Sequence, residues 1–480
     1  MKYHLVTLGC HMNQSDSEKI KIIVEKMGYK WTDREEEASL LGIIACSVRQ
    51  KAIDVIYTKI QDWDKLKIKR NLITFITGCI LPSDRKRFLK LFDILFTMND
   101  VHRLPEFIHH YGVVTPSSLS VIPANLSENM KGSFPKFNSY FVEDSAKNNT
   151  NIPDPTFGKI PDLQDAEIEN FWDFTPQFTS AFEAFVCIQN GCDKYCTYCA
   201  VPFIRGKNVS RPSLEIIQEI ESLIIRGYKS ITLLGQNVTS YGFDKPNIEL
   251  NFSQLLEEIG KLGNKFNKQF WIYFSAPHPK DMNEEVVKTI AKYDCLAKQF
   301  HIPLQSGDDK MLIRMNRKHR VEDFSKIVLF IKKHIPQATI FTDIIVGFTD
   351  ENNEQFFNTR NLLDSLPLNM VYLSSYTTRP GTKKIDWNDN IPIEIKRKRF
   401  YILTDLLREK YELTFNAFIG KTVEMLVRGI DTNKDYLTGY TQGKLIVRIK
   451  TKNHALIGLF VKVKIIKTGI FSMEGEPIYD

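Results

Sequence analysis

Over most of its length the chain alternates short runs of consecutive apolar residues with stretches whose apolar positions recur every three or four residues. Short runs bounded by turn residues read as buried strands and the longer period as amphipathic helices. Lys2 to Leu8, Leu40 to Ala45 and Asn71 to Thr77 are three such strands. Helix signals follow each one. Ser15-Asp16-Ser17-Glu18 reads as a capping box for a helix with Ile20, Ile23, Val24 and Met27 on its apolar face and Gly28 as its stop. Further helices are expected from Val48 to about Trp63 and from Ser83 to Leu91. Such alternation predicts an α/β domain over residues 1–100 with a parallel sheet, whose strands end along one ligand-collecting edge.

The pattern fails between 101 and 180, where Pro, Ser, Asn and Asp are frequent. We expect a connector there, whose aromatic tail (Phe171, Trp172, Phe174, Phe178) packs against the next domain. Periodicity returns at the strand-like run Glu183 to Gln189. Strands are then expected at Ser230 to Leu234, Phe270 to Phe274, Gln299 to Ile302, Ala338 to Val346 and Met370 to Ser375. Helices are expected at Ser213 to Arg226, Ser253 to Leu262, Glu284 to Tyr293, Val321 to His334 and Glu354 to Leu366. Six strand-helix units over 181–415 predict a partial (β/α)6 barrel with its site at the carboxyl ends of the strands. A helix from about Ile393 to Phe415 leads into short alternating strands, Thr422 to Val427, Leu437 to Tyr440, Leu445 to Ile449 and Leu459 to Ile466, which predict a small β-barrel over 416–480.

Charge changes the picture only at that barrel. The net charge is +7, and residues 416–473 alone hold ten Lys and Arg against three acids, which is also +7. A cationic barrel on an otherwise balanced chain suits a polyanion such as RNA, whereas a structural barrel would carry Lys merely to protect strand edges. No basic, apolar leader opens the sequence and no apolar run reaches bilayer length, so we expect a soluble, cytoplasmic protein without membrane contact. In a reducing compartment clustered thiols read as metal ligands rather than disulfides.

Two sets of thiols stand out. Cys192, Cys196 and Cys199 lie within eight residues, spaced C-x3-C-x2-C, directly after the strand-like run. Three thiolates on one 4Fe-4S cluster leave an iron open to a small molecule, while a structural zinc site would need a fourth ligand, for which Cys187 is the candidate. Cys10, Cys46 and Cys79 each follow one of the first three strands, so a parallel sheet would bring them to one edge as a second three-thiolate site. Cys187 and Cys295 are expected to be buried small hydrophobes. Three motifs fall at barrel strand ends: Leu233-Leu234-Gly235-Gln236-Asn237, the run His301 to Gly307, and Asp343 to Phe348. Arg205, Arg211, Ser275 and His278 near the same rim read as solvated or structural.

The C-x3-C-x2-C loop resembles that of the radical SAM enzymes. Taken together, Leu8-Gly9-Cys10-His11-Met12-Asn13, Asp16-Ser17-Glu18, Cys46-Ser47-Val48-Arg49, Gly78-Cys79, Gly191 to Pro212, Gly235-Gln236-Asn237-Val238, Pro303 to Gly307 and Arg379-Pro380-Gly381-Thr382 resemble the methylthiotransferases over nearly the whole chain outside the connector. The Met-Asn, Asp-Ser-Glu and Gly-Gln-Asn-Val segments are most similar to the branch that makes 2-methylthio-N(6)-isopentenyladenosine in tRNA. Ile44-Ala45, Ile80-Leu81 and Thr349-Asp350 depart from the usual Asn-Thr, Met-Ala and Pro-Gly.

The resemblance implies two 4Fe-4S clusters, one on Cys192, Cys196 and Cys199 and the other on Cys10, Cys46 and Cys79. It implies S-adenosylmethionine contacts from Tyr198, Gly235, Gln236, Gln305 and Gly347, and assigns no catalytic side chain beyond the cluster ligands. It further implies an RNA-binding TRAM module, the anticodon loop of tRNA as partner, an external electron donor and sulfur source, and a monomer. Sister activities on threonylcarbamoyladenosine or a ribosomal-protein aspartate are the nearest alternatives, and a non-catalytic zinc and RNA-binding protein is the alternative of another class.

Overall fold

The computed structural model describes residues 1–46, 50–111, 140–141, 172, 178–378, 387 and 389–478. The chain divides into two compact units. The first is built on a six-stranded sheet ordered Lys30–Trp31, Lys2–Thr7, Leu40–Cys46, Ile73–Cys79, Ile94–Leu95 and Tyr140–Phe141, with every pair parallel. Helices His11–Lys26, Gln50–Lys69 and Pro82–Phe88 follow the three long strands. Leu40–Cys46 is buried along its whole length, as a central parallel strand covered on both faces must be. A Cβ at Gly42 would stand 2.1 Å from the Phe75 ring. Gly42→Ala should therefore overpack this core and cost about 1–3 kcal/mol, readable as a lower unfolding midpoint.

Three expectations for this unit need correction. The first helix starts at His11 with Cys10 as its N-cap, four residues before the supposed capping box. Ser15, Asp16 and Glu18 lie inside it and are buried, and Asp16 and Glu18 bond to other parts of the unit instead of to free helix amides. Glu18, for example, accepts from the backbone and hydroxyl of Thr179. Second, the start of the connector is a helix, Leu104–His110, whose Leu104, Phe107 and Ile108 are buried. Third, Trp172, expected to pack on the next domain, is buried with the Lys19 ammonium of the first unit 5.4 Å from its ring centre. Phe171 and Phe174 lie outside the described residues, as do Ser47-Val48-Arg49, Arg379-Pro380-Gly381-Thr382 and most of the connector.

The second unit holds six parallel strands in two sheets, Glu183–Cys187, Ser230–Leu234 and Trp271–Phe274, then Gln299–His301, Thr339–Val346 and Met370–Ser375. A parallel bridge between Ile272 and Leu296 joins them. With the helices Ser213–Ile225, Phe252–Lys265, Glu284–Lys292, Val321–His334 and Asn353–Ser365 between strands, this is the expected partial (β/α)6 barrel. Side chains Asn251 and Asn352 each close a reciprocal capping box, with Gln254 and Gln355. Asn352→Ala should cost about 1 kcal/mol of thermal stability.

A closed five-stranded barrel completes the unit: Thr422–Ile430, Tyr436–Thr441, Ile446–Lys450, Ser472–Pro477 and Phe460–Thr468 in spatial order. The last strand in sequence, Ser472–Pro477, was not legible because its Ser-Met-Glu-Gly-Glu-Pro run has almost no apolar content. This barrel sits against the start of the larger one. Tyr440 donates to Glu183 at 2.6 Å and contacts the Ser230 hydroxyl at 3.0 Å, and the rings of Trp271 and Phe460 lie 4.6 Å apart. The Lys444 ammonium stands 3.9 Å from the Tyr273 ring centre and 3.7 Å from that of Tyr440. Not all ten cations of this segment thus face outward. Arg428, Arg448 and Lys452 pair with Glu183, Asp431 and Asp435, whereas Lys462 and Lys464 alternate with buried Val461 and Val463 and are exposed. Among the described residues no helix is long and apolar enough to cross a membrane.

Candidate metal centres and cofactor rim

In the first unit the parallel register sets Cys46 directly opposite Cys79 at the carboxyl ends of neighbouring strands. Cys10 caps the helix that leaves the next strand over. Two glycines make room. Gly9 adopts φ +115°, and a Cβ there would lie 2.7 Å from Cys46 Cβ and 3.2 Å from its sulfur. Gly78 adopts φ +99° with the Ala45 carbonyl 2.7 Å from any added Cβ. Both positions demand glycine for conformation as well as space. The buried Asn13 amide donates to the carbonyls of Leu8 and Ala45, each at 2.6 Å, and so ties two of the thiol-bearing strand ends together.

Arg205 decides the electrostatics of this edge. Its guanidinium donates to Asp16 Oδ2 at 2.5 Å and lies 3.3 and 3.4 Å from Cys79 Sγ, with both charged side chains at most 5% exposed. Burial pushes the Cys79 thiol up to about 11, and Arg205 acts in the opposite direction. Burial alone would lower the guanidinium; Asp16 and Cys79 outweigh it and hold its pKa above the usual value. The sequence reading placed Arg205 among solvated or structural residues. It is not solvated: one face meets a carboxylate and another a sulfur.

In the second unit the loop after Glu183–Cys187 is held at several points. Gln189–Asn190 pairs with Val209–Ser210 in a short antiparallel ladder. Gly191 takes φ +83° and its amide donates to the Gln236 side chain. Tyr195 takes φ +48°. Thr197 N donates to Met315 O at 3.0 Å, and Asn316 Nδ2 to Tyr195 O at 2.7 Å. Arg317 lies 3.5 Å from Cys196 Sγ and donates to Pro303 O at 2.6 Å. Burial raises the Cys192 thiol to about 11, which the Lys194 amide partly offsets. His319 is pushed down to about 3 by burial and then by Arg317, so that imidazole is neutral beside the arginine at ordinary pH. Cys187 stays within its strand, buried, with its sulfur 3.4 Å from Gln189 O. Cys295 is only half-buried, contrary to expectation.

The expected cofactor residues have the following places. A Cβ on Gly235 would lie 2.6 Å from Gln189 Oε1. The side-chain oxygen of Gln236 serves the thiol loop itself. Gln305 has φ +80°, its amide donates to Asp343 O at 2.8 Å and its carbonyl accepts from Ile345 at 3.0 Å. The Tyr198 ring stands edge-on to Phe348, 6.4 Å away. Gly347 has φ +70°, and the Lys396 side chain occupies the space where its Cβ would be, 2.5 Å off, which gives its glycine a packing reason. Its amide donates to Glu351, which pairs with Arg399 at 2.7 Å while both are buried. Asp350, where Pro-Gly is usual, takes φ +63° and is tied down by Arg314 and Asn390. Arg317, Glu351 and Arg399 were missed as supporting residues, since Cys196 lies 121 residues from Arg317 and Glu351 lies 48 from Arg399.

Among the described residues no three Cys, His, Asp or Glu side chains are drawn together closely enough to hold a metal as they stand. The donor set nevertheless fits an iron-sulfur centre. Cys46 and Cys79 face each other in register, glycine clears the space beside Cys46, and buried guanidiniums meet Cys79 and Cys196, where thiolate charge would need compensation.

Comparison with known proteins agrees with this chemistry. Residues 186–363 match the radical SAM superfamily, residues 416–478 the TRAM domain, and residues 2–97 the uncharacterized protein family UPF0004. A solved radical S-adenosylmethionine methyltransferase, TsrM from Kitasatospora setae, shares the fold with TM-score 0.51 at 12% identity, over 80% of this chain and 74% of its own. The molecule is a radical SAM enzyme, a class that works through a 4Fe-4S cluster and S-adenosylmethionine. The tRNA-2-methylthio-N(6)-dimethylallyladenosine synthase of Geobacillus kaustophilus is 33% identical over 99% of this chain and 82% of its own length. That of Clostridium botulinum strain Langeland is 34% identical over 99% and 97%. The chain belongs to this family of tRNA methylthiotransferases.

Proposed function

We propose that the chain adds a methylthio group to carbon 2 of N(6)-dimethylallyladenosine beside the anticodon of tRNA, using one 4Fe-4S cluster on Cys192, Cys196 and Cys199 and a second on Cys10, Cys46 and Cys79. The observation that carries this is the presence of two thiol trios, each with a buried arginine on one sulfur, in a chain aligned end to end with synthases of that product. When bound, the clusters and S-adenosylmethionine supply the radical, the sulfur and the methyl group, which no side chain can provide.

The chain's own residues do the rest. Arg317 and Arg205 offset the charge of Cys196 and Cys79, Asn13 and the two glycines hold the strand ends at a fixed spacing, and Asn316 and Thr197 anchor the loop that carries Cys192 and Cys196. Tyr198, Gly235, Gln236, Gln305 and Gly347 form the rim where S-adenosylmethionine would bind. Lys462 and Lys464 offer charge to the tRNA backbone, and an external electron donor and sulfur source complete the cycle of a monomeric cytoplasmic enzyme.

Anaerobic reconstitution with iron and sulfide counting tests the ligand assignment. Wild type should hold about two clusters, and a Cys10, Cys46, Cys79 triple alanine variant about one. Equal counts in the two proteins would remove the N-terminal thiols from the mechanism. Zinc without iron or sulfide in a colourless wild-type preparation would favour the RNA-binding alternative.

A further inference from the structure

A polar pair on the concave face of the larger barrel remains unassigned. Phe300 packs on Phe274 at 6.0 Å, and Phe274 on Phe252 of the outer helix Phe252–Lys265 at 5.6 Å. Side chains alternate along a strand, so the neighbouring His301 takes the opposite, inner face. On the adjacent strand Ile340, Thr342 and Ile344 are at most 1% exposed, and Phe341 and Asp343 share the other face with His301. His301 Nε2 meets Asp343 Oδ2 at 2.7 Å, each side chain being 33% exposed. The next strand adds Tyr372, whose ring lies 5.3 Å from that of His301 and which is 47% exposed. An accessible aromatic ring thus stands beside an accessible His–Asp pair, and the backbone of Asp343 bonds Gln305 on the cofactor rim.

We propose that His301, Asp343 and Tyr372 form the platform that positions the target adenine. The assignment rests on the proposed substrate and deepens it. In the neutral imidazole whose Nε2–H donates to Asp343, Nδ1 is a lone-pair acceptor, and Nδ1 makes no hydrogen bond with any described residue. An N(6)-alkylated adenine retains a single N–H on its exocyclic nitrogen, and that donor matches one acceptor. Tyr372 supplies the stacking face that a base swung out of an anticodon loop requires. The three are positioning residues that set where carbon 2 lies.

The test uses the full reconstituted chain and an anticodon stem-loop RNA bearing N(6)-dimethylallyladenosine, with binding followed by fluorescence anisotropy and turnover by nucleoside mass spectrometry. Tyr372→Leu should weaken binding roughly tenfold and raise KM more than it lowers kcat, and Tyr372→Phe, which keeps the ring, should recover most of that loss. His301→Phe should weaken binding of the alkylated RNA about fivefold while changing little that of an RNA with N(6),N(6)-dimethyladenosine at the target position, which has no N–H to donate, and this difference reads out loss of a hydrogen bond. Folded variants, checked by circular dichroism, that bind and turn over as wild type would overturn the platform while leaving the proposed reaction intact. A wild-type protein that neither binds nor modifies the alkylated RNA would overturn both.

Discussion

A Cys192→Ala chain is expected to form no methylthio product and no 5'-deoxyadenosine, a fall to background of at least about a thousandfold. The size of the effect follows from the chemistry. Hydrogen on an aromatic ring carbon is not acidic enough for a side-chain base, so without the radical route no slower parallel route exists on this chain. The same variant should lose about four irons per chain. Cys187→Ala provides the internal control, because Cys187 is buried in regular strand with its sulfur on Gln189 O. It should keep its iron and its activity, at a packing cost of about 1 kcal/mol. Iron lost equally from both variants would mean that Cys187 is a ligand and that the loop holds its metal by four thiols.

The second large effect is expected at Arg205. Removing the guanidinium as Arg205→Leu leaves Asp16, which is 1% exposed, with its charge uncompensated. Breaking a buried pair from one side costs about 3–5 kcal/mol, because the remaining charge has neither water nor a partner. Chemical denaturation followed by the fluorescence of Trp63, fully buried in the first unit, should show the loss. The double variant Arg205→Leu with Asp16→Leu should regain much of it, since no lone charge is left. Iron loading separates the two roles of the arginine: the double variant should be stable and still load the Cys10, Cys46, Cys79 site poorly, because Cys79 has lost its cation. Normal loading would reduce Arg205 to a structural partner of Asp16.

Much of this was open to inspection before any fold was known. Strand-helix alternation is a local periodicity, and Val321–His334, Ser230–Leu234 and Met370–Ser375 came out residue for residue as expected. The C-x3-C-x2-C spacing is local as well. The polar Ser472–Pro477 strand had no such signal, since its place in the small barrel comes from pairing with Phe460–Thr468 and Ile446–Lys450. Ser15-Asp16-Ser17-Glu18 had a misleading one. Capping residues and buried polar residues are chemically the same, and what separates them is whether Arg205 and Thr179 lie across from them.

The amino-acid sequence by itself determined the family, the order of strands and helices, and which thiols lie at strand ends, because each depends on residue type and spacing over a few dozen positions. Only the tertiary structure decided the partners of those residues: Arg205 on Asp16 and Cys79, Arg317 on Cys196, Lys396 beneath Gly347, Asp343 beside His301. Each of those contacts joins positions more than twenty residues apart. Apart from the partly exposed His301–Asp343 pair, their strength comes from burial, a property of the folded chain and not of any segment of it.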